Sequence, residues 1–250
     1  YGSHSWRISI MQGLLCGLLV PSTYPCHVVL IVVFFVFVFS RLVFGDFADS
    51  WVNLTAFTVF LLYFVNSSFF PGFQITSSDL QSRNPALVLI QNGTVPVLKC
   101  DGAVTEFLNR NVFRFFGVSI PEGYVSLFWD NGSIIPAFRF NLMTLLSSLV
   151  LVSFELIDAM IPFLFLLVYG LLVRYAGPFF VGAASFQGDI ILAMLTSGTL
   201  FFTFYVLQWF GMTPISSVGK FFYGVISGLC GFFIIGLGTS SSGYALTILV

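Results

Sequence analysis

Charge is nearly missing from this chain. Asp, Glu, Lys and Arg make up 8% of its 250 residues, against about 25% in ordinary soluble domains. With 58% hydrophobic residues, no conventional polar surface can be built, and the composition is that of an integral membrane protein. Histidine is scarce as well: His4 and His27 are the only two, so haem or copper ligation inside the membrane is not expected. Cys16, Cys26, Cys100 and Cys230 form no C-x-x-C pair, which predicts neither a zinc site nor a disulfide framework. Gly-rich phosphate loops, H-E-x-x-H and the nucleophile elbow are absent. The reading is therefore of a chain with no cofactor, no metal and, at a net charge of −1, no nucleic-acid partner. The first residue is Tyr1, which reads as a processed or trimmed start with no presequence to mark a compartment.

What the chain does have is phenylalanine, 33 in all, and long apolar runs. Spanning a bilayer takes roughly 17–25 such residues. Residues 28–45 form a first candidate span, with Arg41 near one end, and 51–70 a second that stops at Pro71-Gly72. About 140–160, 161–186, 189–212 and 217–238 follow. The expected fold is an all-α polytopic membrane protein of about five to six helices, 1–250 being a single membrane domain. It includes a long kinked or tilted pair near the C-terminus, with kinks at Pro162 and Pro178. An N-terminal piece at 8–20 reads as amphipathic or re-entrant. Gly228, Gly231 and Gly236 in "SGLCGFFIIGLG" predict close helix packing.

The interval 73–139 differs in character and reads as an extramembrane or interfacial insertion. "ALVLIQNGTVPVL" (86–98) places Asn92-Gly93 between two β-favouring runs, a hairpin pattern. "VTEFLNRNVFRFFG" (104–117) has apolar residues at helical spacing, which predicts a helix in the membrane interface. Four N-x-S/T triplets begin at Asn53, Asn66, Asn92 and Asn131; the pattern is common by chance, and glycosylation is not the favoured reading.

Few polar residues fall within the apolar runs. Arg174 lies in the middle of 163–186, where a cation costs at least ~2.5–3.5 kcal/mol unless it faces protein or water. Two readings stand: a functional cation on an ion path, or two segments broken at Gly177-Pro178 with Arg174 snorkelling at their junction. Glu155 and Asp158 are three apart and share a helix face. Asp189 follows Arg174 by fifteen residues, which on a continuous helix is about 60° in azimuth and about 22 Å along the axis. That is too far for an ion pair but suits a path on one face. Span-end positions in the headgroup region are the plainer alternative for all three acids, and for Lys220.

"VRYAGPFFVGAASF" resembles the fifth helix of ATP synthase subunit a, the proton-channel stator of F-type rotary enzymes. Arg174, Gly177 and Gly182 match the family's arginine and the small residues three and eight later. "GKFFYGVISGLCGFFIIGLG" has the texture of its next long helix, "FVNSSFFPGFQITSS" resembles its Asn-to-Pro helix ending, and "FELID" (154–158) its acidic approach to the arginine. Departures stand at Pro178, Ala183, Lys220 and Ser227. The resemblance covers about the last hundred residues, with an echo near 51–78, and carries over only Arg174. It implies a proton-translocating CF(0) subunit in the mitochondrial inner membrane or another energy-coupling membrane. Its partners would be rotor-ring subunits with a mid-membrane carboxylate, other membrane subunits, and lipid. Arg174 would lower the passing carboxylate's pKa and block a proton leak, with Glu155, Asp158 and Asp189 as path residues and any ATP chemistry left to partners. The alternative is a structural or accessory membrane subunit of a large respiratory-chain or other organelle membrane complex. A small-solute transporter is a third reading, which an internal repeat with matched broken helices would favour; none is apparent.

Overall fold

A computed structural model describes residues 2–44, 52–70, 96–117, 119–182, 186–208 and 213–236. Among these residues every regular element is helical. The predicted hairpin falls largely on 71–95, outside the described residues.

The N-terminal part is a three-helix unit. Helix α1 (Gly2–Leu19) is followed by α2 (Cys26–Phe44), and the link is closed by Tyr24 and Val28 amides donating to the carbonyls of Pro21 and Pro25. Asn53 then caps α3 (Leu54–Val65), its side chain accepting from the Thr55 and Ala56 amides at 3.0 and 3.2 Å. Cys16 of α1 lies beside Thr55 and Thr58, and Tyr24, beyond the end of α1, donates to Leu62 O at 2.9 Å. Helices α1 and α3 therefore run in the same direction. Helix α2 runs back along α3, with Phe39 stacked near Phe57 at 6.5 Å, so that α3 touches both of the other helices.

After the interval come α4 (Asp101–Asn111), with a 3-10 turn at Phe113–Phe116, and the short helices α5 (Tyr124–Trp129) and α6 (Pro136–Arg139). Helix α4 covers only part of the helix predicted over 104–117: it begins at Asp101 and ends at Asn111, after which the chain tightens into the 3-10 turn. Asp101 ties it to α5, accepting from Gly123 N at 3.1 Å, Ser126 N at 2.8 Å and the Ser126 hydroxyl. Residues 124–139 do not stand apart from the bundle: Leu127, Ile135 and Phe138 are buried in the main core.

The C-terminal part holds α7 (Asn141–Ser153), α8 (Met160–Tyr175), α9 (Gly177–Val181), α10 (Ile190–Thr196), α11 (Thr199–Phe201) with a π-helical turn at Phe202–Val206, and α12 (Ser217–Ile235). Helices α8 and α12 form the tightest contact. A Cβ on Gly228 would sit 3.0 Å from Phe165 O, and one on Gly224 2.9 Å from Leu164 Cβ, so the glycines let the backbones approach as predicted for Gly228 and Gly231, while Gly236 ends α12 with φ 63° instead. Gly224 meets Ile161 and Leu164, and Gly228 meets Phe165 and Val168. The two helices are therefore parallel, and residues 189–208 run back between their ends.

Several expected spans are corrected. The run 161–186 is not one helix: α8 ends at Tyr175, because Pro178 has no N–H for the carbonyl four residues earlier. Pro162 does not kink α8, since it stands in the first turn, where no donor is needed. The helix within 51–70 has 12 residues, or about 18 Å. By length and composition, two described helices suffice to cross a membrane, over Cys26–Val43 and Ser217–Ile235.

Candidate functional site

The return segment between α8 and α12 is interrupted inside the protein. Helix α10 starts on Asp189, whose side chain accepts from Leu192 N at 2.9 Å. It stops at Thr196, and Gly198 turns the chain with φ 71° before α11 resumes. A Cβ on Gly198 would fall 2.2 Å from the Phe138 ring. Left-handed backbone and lack of space both demand glycine there.

Interrupting a helix frees backbone carbonyls that must find donors when buried. Here side chains supply them. Asn131 and Asn141 both donate to Leu195 O at 2.8 Å. Asn131 also reaches Phe138 O at 2.8 Å and Asn141 reaches Leu127 O at 3.2 Å. Thr196 donates to Leu192 O, Thr203 to Thr199 O and Ser197 to Ala193 O, while Ser197 and Thr199 share a hydrogen bond. Asn131, Asn141, Ser197, Thr199 and Thr203 are all buried. Tyr169 of α8, completely buried, adds its hydroxyl beside Ser197 and Thr199 and donates to Gly236 O at 3.1 Å.

The N-terminal unit touches the same region. Asn53, besides capping α3, donates to Val206 O at 3.1 Å, so a buried helix start meets the end of the π-helical turn. Within the N-terminal unit Gln12 is 1% exposed with neither amide atom hydrogen-bonded among the described residues, and the buried Ser40 hydroxyl is likewise unpaired. At the break the Asn amides present Nδ2 to carbonyls, the oxygens are those of hydroxyls and backbone without a carboxylate, and among the described residues no group of three His, Cys, Asp or Glu comes together. Such a set can strip and replace hydration around a small ion, but it holds no base or nucleophile activated for covalent chemistry.

The residues singled out from the sequence lie at the two ends of this unit. Arg174 occupies the last turn of α8, exposed, with Nη1 donating to Gly188 O at 2.9 Å. It stands at a helix C-terminus, where the dipole favours a cation. Asp189 caps α10 and accepts a hydrogen bond from the Tyr124 hydroxyl. At the other end of α8, Asp158 pairs with Lys220 and accepts from Met160 N at 2.9 Å, while its own amide donates to Gln208. Glu155 is exposed in the reversal between α7 and α8, with φ 56°. The acids are thus not gathered around Arg174; Asp189 is close to it in the chain turn, and Asp158 is a helix length away.

The buried polar group at the break was missed from sequence, though its traces were visible. Two N-x-S/T triplets, at Asn53 and Asn131, are buried caps that hold carbonyls, and a third, at Asn66, caps the 3-10 turn Ser67–Phe69.

The family model described as "NQR2, RnfD, RnfE family" matches residues 6–250. No curated protein matches the chain. A match along nearly the whole chain overturns the identification with ATP synthase subunit a, which rested on spacings in the last hundred residues. The rotor-ring partner, the stator function and the CF(0) assignment fall with it. The spacing around Arg174 misled because a helix-ending arginine followed by glycines also arises where a span simply stops.

Proposed function

We propose that the chain, which belongs to the NQR2, RnfD, RnfE family, is a membrane-embedded subunit of an ion-translocating redox complex. The single observation that carries this reading is the family match over 6–250. It agrees with the accessory membrane subunit weighed from the sequence. The partners are then the other subunits of that complex, and the family's setting favours a bacterial inner membrane over the mitochondrial one.

Within that reading, the interrupted helix between Asp189 and Gln208 is the place where an ion would cross. Irregular backbone at membrane depth is tolerated where protein or a polar path surrounds it, and half-helix ends supply oriented dipoles for ions. The hydroxyls of Ser197, Thr199 and Tyr169 give neutral oxygen at the break, and Asn53 ties the N-terminal unit to its far end at Val206 O. Asp189 with Tyr124, and Asp158 with Lys220, mark the two ends of the path. Arg174 holds the turn before Asp189 and keeps a fixed positive charge there, while Glu155 adds an exposed negative charge beside the Asp158 end.

Affinity purification from the native membrane tests this reading. A tagged full chain should retain redox-active subunits through detergent exchange. Recovery of the chain alone, or with an ATP-hydrolysing assembly, would contradict it.

A further inference from the structure

Between α4, α5, α7 and α10 lies a cavity of about 550 Å³, a volume in the range of small-ligand sites. Val104 and Leu108 of α4, Phe128 of α5, Leu142 of α7 and Ile191 of α10 form its walls, with Cys100 at the start of α4. The polar groups on its lining point elsewhere: the Thr105 hydroxyl donates to Asp101 at 3.0 Å and the Tyr124 hydroxyl to Asp189. Water in such a space would lack the two to four polar partners it needs.

The surroundings say what reaches it. Val97, Phe107, Val112 and Phe115 are large apolar side chains left exposed around α4, Phe115 by 88%. Lys99, Arg110 and Arg114 are interleaved with them, exposed, and among the described residues in no salt bridge. Phe107 and Arg110 lie on α4 and the others on the chain flanking it, and apolar side chains interleaved with cations along such a segment are the pattern of chain seated at the headgroup level. Lys99 and Arg114 each adjoin a wall residue in the chain, Leu98 and Phe113, and cations beside an aliphatic interior match the two ends of one molecule.

We infer that this cavity holds an acyl chain of an anionic phospholipid, with Lys99 and Arg114 around its headgroup. The site is separate from the interrupted helix and depends on the membrane placement of the chain, not on ion translocation by it. Bound lipid would fix α4 against α5 and α10, and so steady the Tyr124–Asp189 hydrogen bond.

The test uses the full chain in nanodiscs containing phosphatidylglycerol or phosphatidylcholine bearing a photoreactive group near the end of one acyl chain. Cross-links should map to 98–129 and 142–195, and Leu108→Trp should reduce them to background while thermal unfolding stays cooperative. Lys99→Gln, a surface change, should lower the preference for phosphatidylglycerol about fivefold without filling the cavity. Cross-links that survive Leu108→Trp, or equal labelling by both lipids, would overturn the inference. So would displacement of the probe by a free isoprenoid alcohol but not by unlabelled phosphatidylglycerol, since the pocket would then select an isoprenoid chain.

Discussion

Helices α2 and α12 each have 19 residues and both are apolar enough to span a bilayer, at mean hydropathy 2.6 and 1.8 over their spanning stretches. They are used in opposite ways. Helix α2 leaves Leu30, Ile31, Phe34 and Leu42 exposed, and only 11% of its spanning stretch is buried, against 33% for α12. The less hydrophobic helix is the better buried one. In lipid, hydrophobicity gives no drive between helices, so close contact is decided by small residues that let backbones approach. Hydropathy identifies a span, and glycine spacing identifies its protein-facing side.

Substitutions can break or sharpen that contrast. The largest effect is expected at the interruption. Gly198→Val combines a positive φ with overlap on Phe138 and should destabilise the protein by about 3–5 kcal/mol, read as loss of cooperative thermal unfolding in detergent. Gly198→Ala with Phe138→Ala should recover part of this, because space is restored while the backbone strain remains. Next, Gly228→Leu should cost about 1–3 kcal/mol by forcing α8 from α12. Phe34→Leu on α2 should stay within about 0.5 kcal/mol; equal losses at the two positions would erase the distinction between the helices. Asn141→Leu should cost about 1–3 kcal/mol by removing donors to Leu195 O and Leu127 O, measured in the same unfolding experiment.

The smallest effect concerns Asp101, away from the candidate spans. Burial pushes its carboxyl up, but hydrogen bonds from Ser126, Gly123 and Thr105 outweigh that and hold it below its ordinary value of 3.8. A lowered folded value means the carboxylate stabilises the α4–α5 link above the unfolded value. That contribution fades as pH falls through the folded value. Faster amide exchange at Gly123 and Ser126 below pH 4, absent in Asp101→Asn, would show it.

The membrane class, the close packing at Gly228 and Gly231 of α12 and a helix within 104–111 were legible in the sequence because composition and periodicity encode them directly. The termini of α8 and the break at Gly198 were not. Ser197-Gly198-Thr199 sits in an apolar run whose average hydropathy conceals one left-handed residue, and that residue depends on Phe138, sixty positions away. The roles of Asn131 and Asn141 were equally hidden, since their carbonyl partner belongs to a distant helix end. Arg174 attracted attention because the run 163–186 looked continuous; once Pro178 ends the helix, its position needs no rotor to explain it.

The central claim is that an ion passes the interrupted helix of a redox-complex subunit. Redox-driven ion uptake by proteoliposomes containing the purified complex tests it most directly, comparing the native chain with Thr199→Val, which keeps the side-chain shape and removes one hydroxyl. The account predicts electron transfer near the native rate with ion uptake per electron reduced by about tenfold, the effect of roughly 1.4 kcal/mol at a barrier. Unchanged ion uptake per electron in a correctly assembled variant complex would contradict it.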